Sequence, residues 1–371
     1  MPSHATVPES ERVPPASRRG MTQLERLRED GHRRLGTVKR GFRYVDARGR
    51  AVPAAERERI DALRLPPAWT DVAISPKASA RLQAVGRDGA GRWQYRYSEA
   101  HTQKQRDAKY QRIVGFAQAL PKMRRQVNKD LRRRGLGRER VLAGMLRILG
   151  TCFIRPGSER YAEEHGSFGL ATLRARHVKV QGDTVVFDYP GKSGVRQHRE
   201  LKDRRVATLV RQLLKVPGRD VFKFVLDDGA VVDVRRRHIN EYIQQVMGPG
   251  FSAKDFRTWA GTLICACALA RARERVEDGD GGPVKKTVLK KSMVAAVREA
   301  SEHLGNTPAV AKASYIYPSV LVLFERGQVV DRYFKSVDEL AASAGEGMHC
   351  SEKALLHMLG RSKGGVKQAS L

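Results

Sequence analysis

Residues 188–198 read Asp-Tyr-Pro-Gly-Lys-Ser-Gly-Val-Arg-Gln-His. The Gly191-Lys192-Ser193 inside this stretch resembles the end of a phosphate-binding loop, which would make the chain a nucleotide-binding α/β protein. Such a loop needs another glycine five residues before Gly191, a strand in front and a helix behind. The residue at that distance is Val186, within the strand-like run Thr184 to Asp188. Behind the turn, Val195 to Leu201 alternates with period two and carries no helical pattern. The ATP reading fails on both counts. Two strands flank a Pro-Gly-Lys-Ser-Gly turn, so the stretch is a hairpin with Lys192 at its tip. With His177–Val180 and the Gly182-Asp183 turn in front, it becomes a three-strand meander.

Helical patterns surround the meander. Val141, Leu142, Met145, Leu146 and Leu149 share one face. Beyond residue 201 the sequence reads as helical throughout. Helices are expected over about Arg205–Lys215, from an N-cap at Asp233 to Met247, and from the capping pattern Ser252-Ala-Lys-Asp255, which puts Arg257 in a first turn. After the acidic stretch Glu277–Pro283, read as flexible, a helix should end at Gly305. Thr307-Pro308 then cap and start another, which ends near Tyr315 and Tyr317 before Pro318. Upstream, Gly41 to Tyr97 reads as short strands and turns, with Leu63 to Trp69 (LRLPPAW) as an extended connection.

The expected fold is α+β: a small β-rich N-terminal domain, then a larger, mainly helical domain holding a three-stranded sheet. The boundaries expected are a flexible basic tail over 1–37, the β-rich domain over 38–99, a helical region and linker over 100–138, a catalytic domain over 139–360, and a flexible tail over 361–371.

Among the 371 residues, 70 Lys and Arg face 40 Asp and Glu, a formal charge of +30. Charge of this size speaks to partners rather than to fold. Arginine's planar fork suits phosphate, which makes nucleic acid the leading partner. A ribosome-associated or merely basic protein is the plainer alternative. The four cysteines, Cys152, Cys265, Cys267 and Cys350, lack metal-binding spacing and sit in apolar patterns, so reduced core thiols are expected and no metal site. No signal-like apolar segment opens the chain, and no run approaches the ~18 apolar residues of a membrane span. A cytoplasmic, nucleoid-associated protein without a membrane partner is the expectation.

Several side chains invite a chemical reading. Arg155 follows an apolar helix and precedes a Pro-Gly break, which suits a fixed anion clamp or, more plainly, an ion pair with Glu159 or Glu163. Arg257 near a helix start has backbone N–H groups and the helix dipole beside it. Lys192 adds a cation on a turn, and Tyr315 a phenol. In Gly91-Arg-Trp-Gln-Tyr-Arg-Tyr97, period two puts Trp93, Tyr95 and Tyr97 on one strand face and Gln94 on the other. Such a strand can lie on a DNA groove or simply bury its aromatics.

Taken in order, these residues resemble the type IB DNA topoisomerases of the poxvirus and bacterial branch. The resemblance runs from about Gly41 to Val329. It rests on GFRYVDARGR, LPPAW, GRWQYRY, FIRPGSERYAEEHGSFGLATLRARHV, YPGKSG, KDFRTWAGT and LGNTPAVAKASYIYP. It implies a bi-lobed clamp on double-stranded DNA; with both lobes in one chain a monomer is expected, and with phosphodiester energy conserved in a covalent link, no cofactor. Tyr315 would attack a phosphodiester to give a 3′-phosphotyrosyl enzyme. Arg155 and Arg257 would hold the phosphoryl oxygens, Lys192 would protonate the leaving 5′-oxygen, and Gln94, Tyr95 and Tyr97 would contact DNA. Where poxviral members have histidine, this chain has Asn306, which donates an N–H but carries no proton to transfer. Tyr317 is a rival nucleophile on spacing alone. A tyrosine recombinase or integrase, with the same Arg/Lys/Arg/Tyr set, is the alternative; the GRWQYRY lobe and Lys254 in place of its histidine argue against it.

Overall fold

The computed structural model describes residues 21–277, 285–337, 339 and 346–361. The expected tails over 1–20 and 362–371, and the acidic stretch 278–283, lie outside the described residues. The chain divides into two compact units, Met1–Lys109 and Tyr110–Leu371.

The first unit is a five-stranded antiparallel sheet in the order β2-β1-β3-β4-β5. Its strands are β1 (His32–Thr37), β2 (Gly41–Val45), β3 (Thr70–Ile74), β4 (Leu82–Arg87) and β5 (Trp93–Tyr97), joined by α1 (Gln23–Asp30) and α2 (Ala54–Ala62). Alternation splits its buried residues between the two faces. Val72, Ile74 and Ala84 pack with Ile60 of α2, whereas Ala73 and Val85 pack with Leu27 of α1.

The expectation of a flexible tail through residue 37 is corrected from residue 22 onward. Thr22 and Glu25 form a reciprocal capping box at the start of α1. β1 pairs with β2 on one side and β3 on the other. It hid from pattern reading because Arg33 and Arg34 stand where apolar residues would be expected. Arg34 instead lies over the Phe42 ring, 4.2 Å from its centroid, and donates to the Pro66 carbonyl at 3.1 Å.

The division after Lys109 falls inside α3 (Glu99–Leu131), not at the expected 99/100 and 138/139. Ile113, Phe116, Ala117, Leu120, Val127 and Leu131 form one helical stripe buried in the second unit's core. The second unit continues with α4 (Arg138–Cys152), α5 (Glu159–His165) and the sheet β6 (Val178–Gln181), β7 (Thr184–Pro190) and β8 (Arg196–Lys202). Next come α6 (Arg204–Leu213), β9 (Lys223–Val225), β10 (Val231–Asp233), α7 (Arg236–Met247) and α8 (Ala253–Glu277). The described part ends with α9 (Lys286–Leu304), α10 (Pro308–Ser314), α11 (Pro318–Glu325) and α12 (Cys350–Arg361).

The β9–β10 hairpin corrects the all-helical reading after residue 201. Asp233 lies in β10, and the N-cap of α7 is Arg235, whose N–H is taken by His238 Nδ1 at 3.1 Å. At α8 the expected pattern holds, with Asp255 Oδ2 accepting from Ser252 N at 2.8 Å. Cys152, Cys265 and Cys267 are buried, and burial pushes their thiols up to about 11, about 12 and about 12. Cys350 departs from the expectation: it is exposed.

Candidate active site

α4 ends in an uncommon way. Phe153 takes the left-handed conformation (φ 54°), a costly choice for a bulky residue. The turn aims its carbonyl at Arg257 Nη1, which donates to it. The chain then runs against Gly169, with Leu170 N donating to Arg155 O at 2.8 Å and Ala171 N to Pro156 O at 2.9 Å. A Cβ on Gly169 would lie 2.6 Å from that Arg155 oxygen, so only glycine allows the approach. Arg155 is thereby fixed at its backbone. Its side chain donates from Nη2 to Gly305 O at 3.0 Å and to Asn306 Oδ1. The plainer ion-pair reading falls, because Glu163 pairs with Arg219 and Glu159 with Arg235.

The last turn of α9 collects three arginines on successive carbonyls. Arg199 Nη2 donates to His303 O at 2.8 Å, Arg257 Nη2 to Leu304 O at 2.7 Å, and Arg155 Nη2 to Gly305 O at 3.0 Å. These are orphan acceptors at the negative end of the helix dipole, a favourable place for cations. Gly305, at φ 57°, closes the helix in the left-handed conformation and turns the chain into Asn306.

Arg257, one turn into α8, is 3% exposed. Burial, and then the neighbouring charge of Arg155, pull its pKa down to about 10. Its guanidinium carbon lies 5.0 Å from the centroid of the Tyr315 ring. Asn306 must turn its oxygen to Arg155, since a guanidinium only donates. That leaves Asn306 Nδ2 on the other side, buried and without a partner, and Arg257 Nε is in the same condition. Two orphaned buried donors beside a cationic cluster suit the oxygens of an anion.

Tyr315 caps α10, its N–H bonded to Ala311 O at 2.9 Å. α8 holds it from behind. Thr262 Oγ1 lies 3.2 Å from Tyr315 O and accepts from Tyr317 N at 3.1 Å. A Cβ on Gly261 would lie 2.9 Å from Tyr315 O. Burial raises the phenol's pKa, but Arg257, by charge and hydrogen bond, outweighs it together with Arg155 and Lys192. The net shift is downward. Tyr317 is partly buried against the core, and its backbone caps α11.

Lys192 is exposed in a tight turn where Ser193 and Gly194 both have positive φ, 60° and 73°. Arg155, Arg257, Asn306 and Tyr315 are thus brought to one place in the second unit, and the Lys192 charge is near enough to act on the Tyr315 phenol. Gln94, Tyr95 and Tyr97 belong to the first. There Tyr95 and Tyr97 are 46% and 39% exposed, with stacked rings 6.4 Å apart. Trp93 is partly covered, with Arg28 and Arg87 over its ring at 5.1 and 4.7 Å. Gln94 Nε2 donates to Asp88 Oδ2 at 2.8 Å.

Sequence reasoning did not single out Gln197, Arg199, Gly261 and Thr262. The Gly-Thr pair stands in the quoted KDFRTWAGT, but nothing local says that it meets Tyr315 more than fifty residues on.

Residues 98–319 match the catalytic core of eukaryotic DNA topoisomerase I, and residues 41–88 the N-terminal domain of bacterial DNA topoisomerase IB. The chain is 32% identical to DNA topoisomerase 1B of Acanthamoeba polyphaga mimivirus over 279 residues, covering 74% of this chain and 81% of that protein. It is 26% identical to DNA topoisomerase 1B of vaccinia virus (strain Copenhagen), covering 72% and 82%. Similarity to DNA topoisomerase 1 of Schizosaccharomyces pombe, at 26%, covers 44% of this chain and 19% of that protein.

Proposed function

Because this chain belongs to the type IB DNA topoisomerase family, we propose that it relaxes supercoiled duplex DNA by transient single-strand cleavage with Tyr315 as the nucleophile. The Tyr315 oxygen forms a bond to phosphorus while the bond to the 5′-oxygen breaks. The phenolic proton passes to solvent, and Lys192 protonates the leaving 5′-oxygen. The product is a 3′-phosphotyrosyl link and a free 5′-hydroxyl. The broken strand swivels, and the 5′-hydroxyl attacks back to reseal it. Phosphodiester energy is kept in the covalent link, so the cycle needs no ATP.

The observation that carries this reading is the pairing of orphaned buried donors with a half-buried phenol. Arg257 Nε and Asn306 Nδ2 lack partners, and Tyr315 lies under the Arg257 guanidinium. Arg155 and Arg257 stabilise charge building on the phosphoryl oxygens. Their prior bonds to α9 carbonyls hold them in place before substrate arrives. Asn306 adds a neutral N–H, so no proton transfer is assigned to it. In the first unit, Gln94, Tyr95 and Tyr97 contact the DNA site, and the two units enclose the duplex as a monomeric clamp. The +30 charge draws the protein to DNA in the cytoplasm, on the nucleoid.

Relaxation of supercoiled plasmid in EDTA without ATP tests this. Ladders of topoisomers from wild type support it. Tight DNA binding without relaxation would return the chain to the recombinase alternative.

A further inference from the structure

The hairpin that carries Lys192 is not a free arm. Its strands pair Tyr189 with Gln197 and Pro190 with Arg196, and Gly191 N donates to Val195 O at 2.9 Å. Gln197, on β8, is a polar side chain only 7% exposed. It lies between two glycines. On one side, a Cβ on Gly191, the residue before Lys192, would come within 2.7 Å of Gln197 Cγ. On the other, a Cβ on Gly305, the residue before Asn306, would overlap the Gln197 carboxamide. Both of its N–H groups are used within the turn, Nε2 donating to Val195 O and Arg196 O at 3.3 Å each. Its oxygen accepts from Arg199 Nη2 at 3.4 Å, and the same Nη2 donates to His303 O at 2.8 Å.

We infer that Gln197 and Arg199 form a clasp between the Lys192 turn and the last turn of α9, and that this clasp positions Lys192 for its work at the Tyr315 site. The α9 end is the same one that holds Arg155 and Arg257. Hairpin and arginine pair are therefore referenced to a single backbone corner at Gly305. A flexible lysine stem loses rotamer freedom whenever it delivers a proton to one atom. Fixing the turn reduces what is left to lose. Gln197 and Arg199 are positioning residues: they act through Lys192 and do not touch the phosphate.

The inference rests on the reading of Lys192 as the acid, so the test must separate the two. Single-turnover cleavage is measured on a strand with an ordinary phosphodiester and on one with sulfur at the 5′-bridging position. A thiol of pKa about 8.5 leaves without being protonated, whereas an alkoxide does not. Gln197→Ala should cleave the ordinary strand about tenfold to a hundredfold more slowly than wild type, part of the ~10²–10⁴ that general acid help is worth. On the sulfur strand it should lie within about threefold of wild type. Arg199→Ala, at the other end of the clasp, should behave alike, and covers the case of Gln197→Ala failing to fold. Arg199→Lys should recover part of the rate, since an ammonium can still donate to His303 O. Equal losses on both strands, or no loss on either, overturn the clasp. Lys192→Ala is the control. If sulfur fails to rescue it, the acid assignment falls, and the clasp's purpose with it.

Discussion

The guanidinium of Arg257 lies over the ring of Tyr315, its central carbon 5.0 Å from the ring centroid, while its two terminal nitrogens hold the carbonyls of Phe153 and Leu304. One planar group thus binds the end of α4, the end of α9 and the nucleophile's ring. An ammonium is a point charge whose donors radiate from one nitrogen, and it does not reproduce a planar fork that stacks on the ring while reaching two separate carbonyls. Arg257→Lys should therefore slow cleavage and religation by about 10²–10³, the usual cost of losing a preorganised donor to a developing charge. Rapid-quench rates on a short duplex give the number. A variant within a few fold of wild type would mean that charge alone suffices.

The arginines also set the pH response. The pKa of Tyr315 is lowered: burial raises it, but Arg257, Arg155 and Lys192 outweigh burial. The nucleophilic form is the deprotonated one. Wild-type cleavage should rise with pH and level off below the 10.0 of an ordinary phenol. Removing Arg155 takes away part of the stabilising charge, so Arg155→Ala should level off at higher pH as well as at a lower rate. A pH–rate profile unmoved by that substitution would separate the phenol's ionisation from Arg155.

Gly261 and Tyr315 touch across α8. A methyl at 261 would meet Tyr315 O at 2.9 Å, Tyr315 Cβ at 3.2 Å and Leu304 Cδ1 at 2.9 Å. Gly261→Ala must push the tyrosine segment, or α9, away. Overpacking of this kind costs about 1–3 kcal/mol, so thermal melting should come several degrees earlier. Cleavage should fall more than DNA affinity does, because the arginines stay while the phenol moves. Unchanged cleavage with an intact fold would show that the segment has room to spare.

Behind the site, α12 delivers a carboxylate to the core. Glu352, 1% exposed, takes two bonds from Arg124 at 2.7 and 2.8 Å and one from Trp259 Nε1 at 3.2 Å. Trp259 stands two residues beyond Arg257, and α12 lies past residue 319, where the match to the topoisomerase catalytic core ends. Glu352→Ala would strand the Arg124 charge, a loss of about 3–5 kcal/mol measurable by urea unfolding. A loss below about 1 kcal/mol would mean that water replaces the carboxylate.

What could be read beforehand was what neighbours in the chain decide. The Pro-Gly-Lys-Ser-Gly turn, the Ser252–Asp255 start of α8, the Gly305 stop and the Thr307-Pro308 restart all depend on local backbone chemistry, and each stands as expected. The capping box Thr22–Glu25 was equally local and passed unnoticed inside a Pro-rich, charged segment. α2 shows no amphipathic period because it buries only Ile60, and β1 carries Arg34, which finds an aromatic ring and the Pro66 and Trp69 carbonyls instead of a hydrophobic face.

Around the site, the chemically charged residues were legible and the groups that hold them were not. Arg155, Lys192, Arg257, Asn306 and Tyr315 stand in quotable motifs. Gln197 reads as one more polar residue in an exposed strand, and its burial follows from Gly305, more than a hundred residues later. The Phe153 carbonyl is invisible to any side-chain pattern, yet it receives Arg257 because of a single left-handed residue. Long-range backbone acceptors have no sequence signature.

The proposed chemistry stands or falls on Tyr315, and not Tyr317, carrying the DNA. A direct experiment traps the covalent complex on a duplex whose cleaved 5′-end is lost, digests it with trypsin and sequences the nucleotide-bearing peptide by mass spectrometry. The adduct is expected on Tyr315, with no adduct from Tyr315→Phe and a normal yield from Tyr317→Phe. An adduct on Tyr317, or one that survives in Tyr315→Phe, would overturn the assignment.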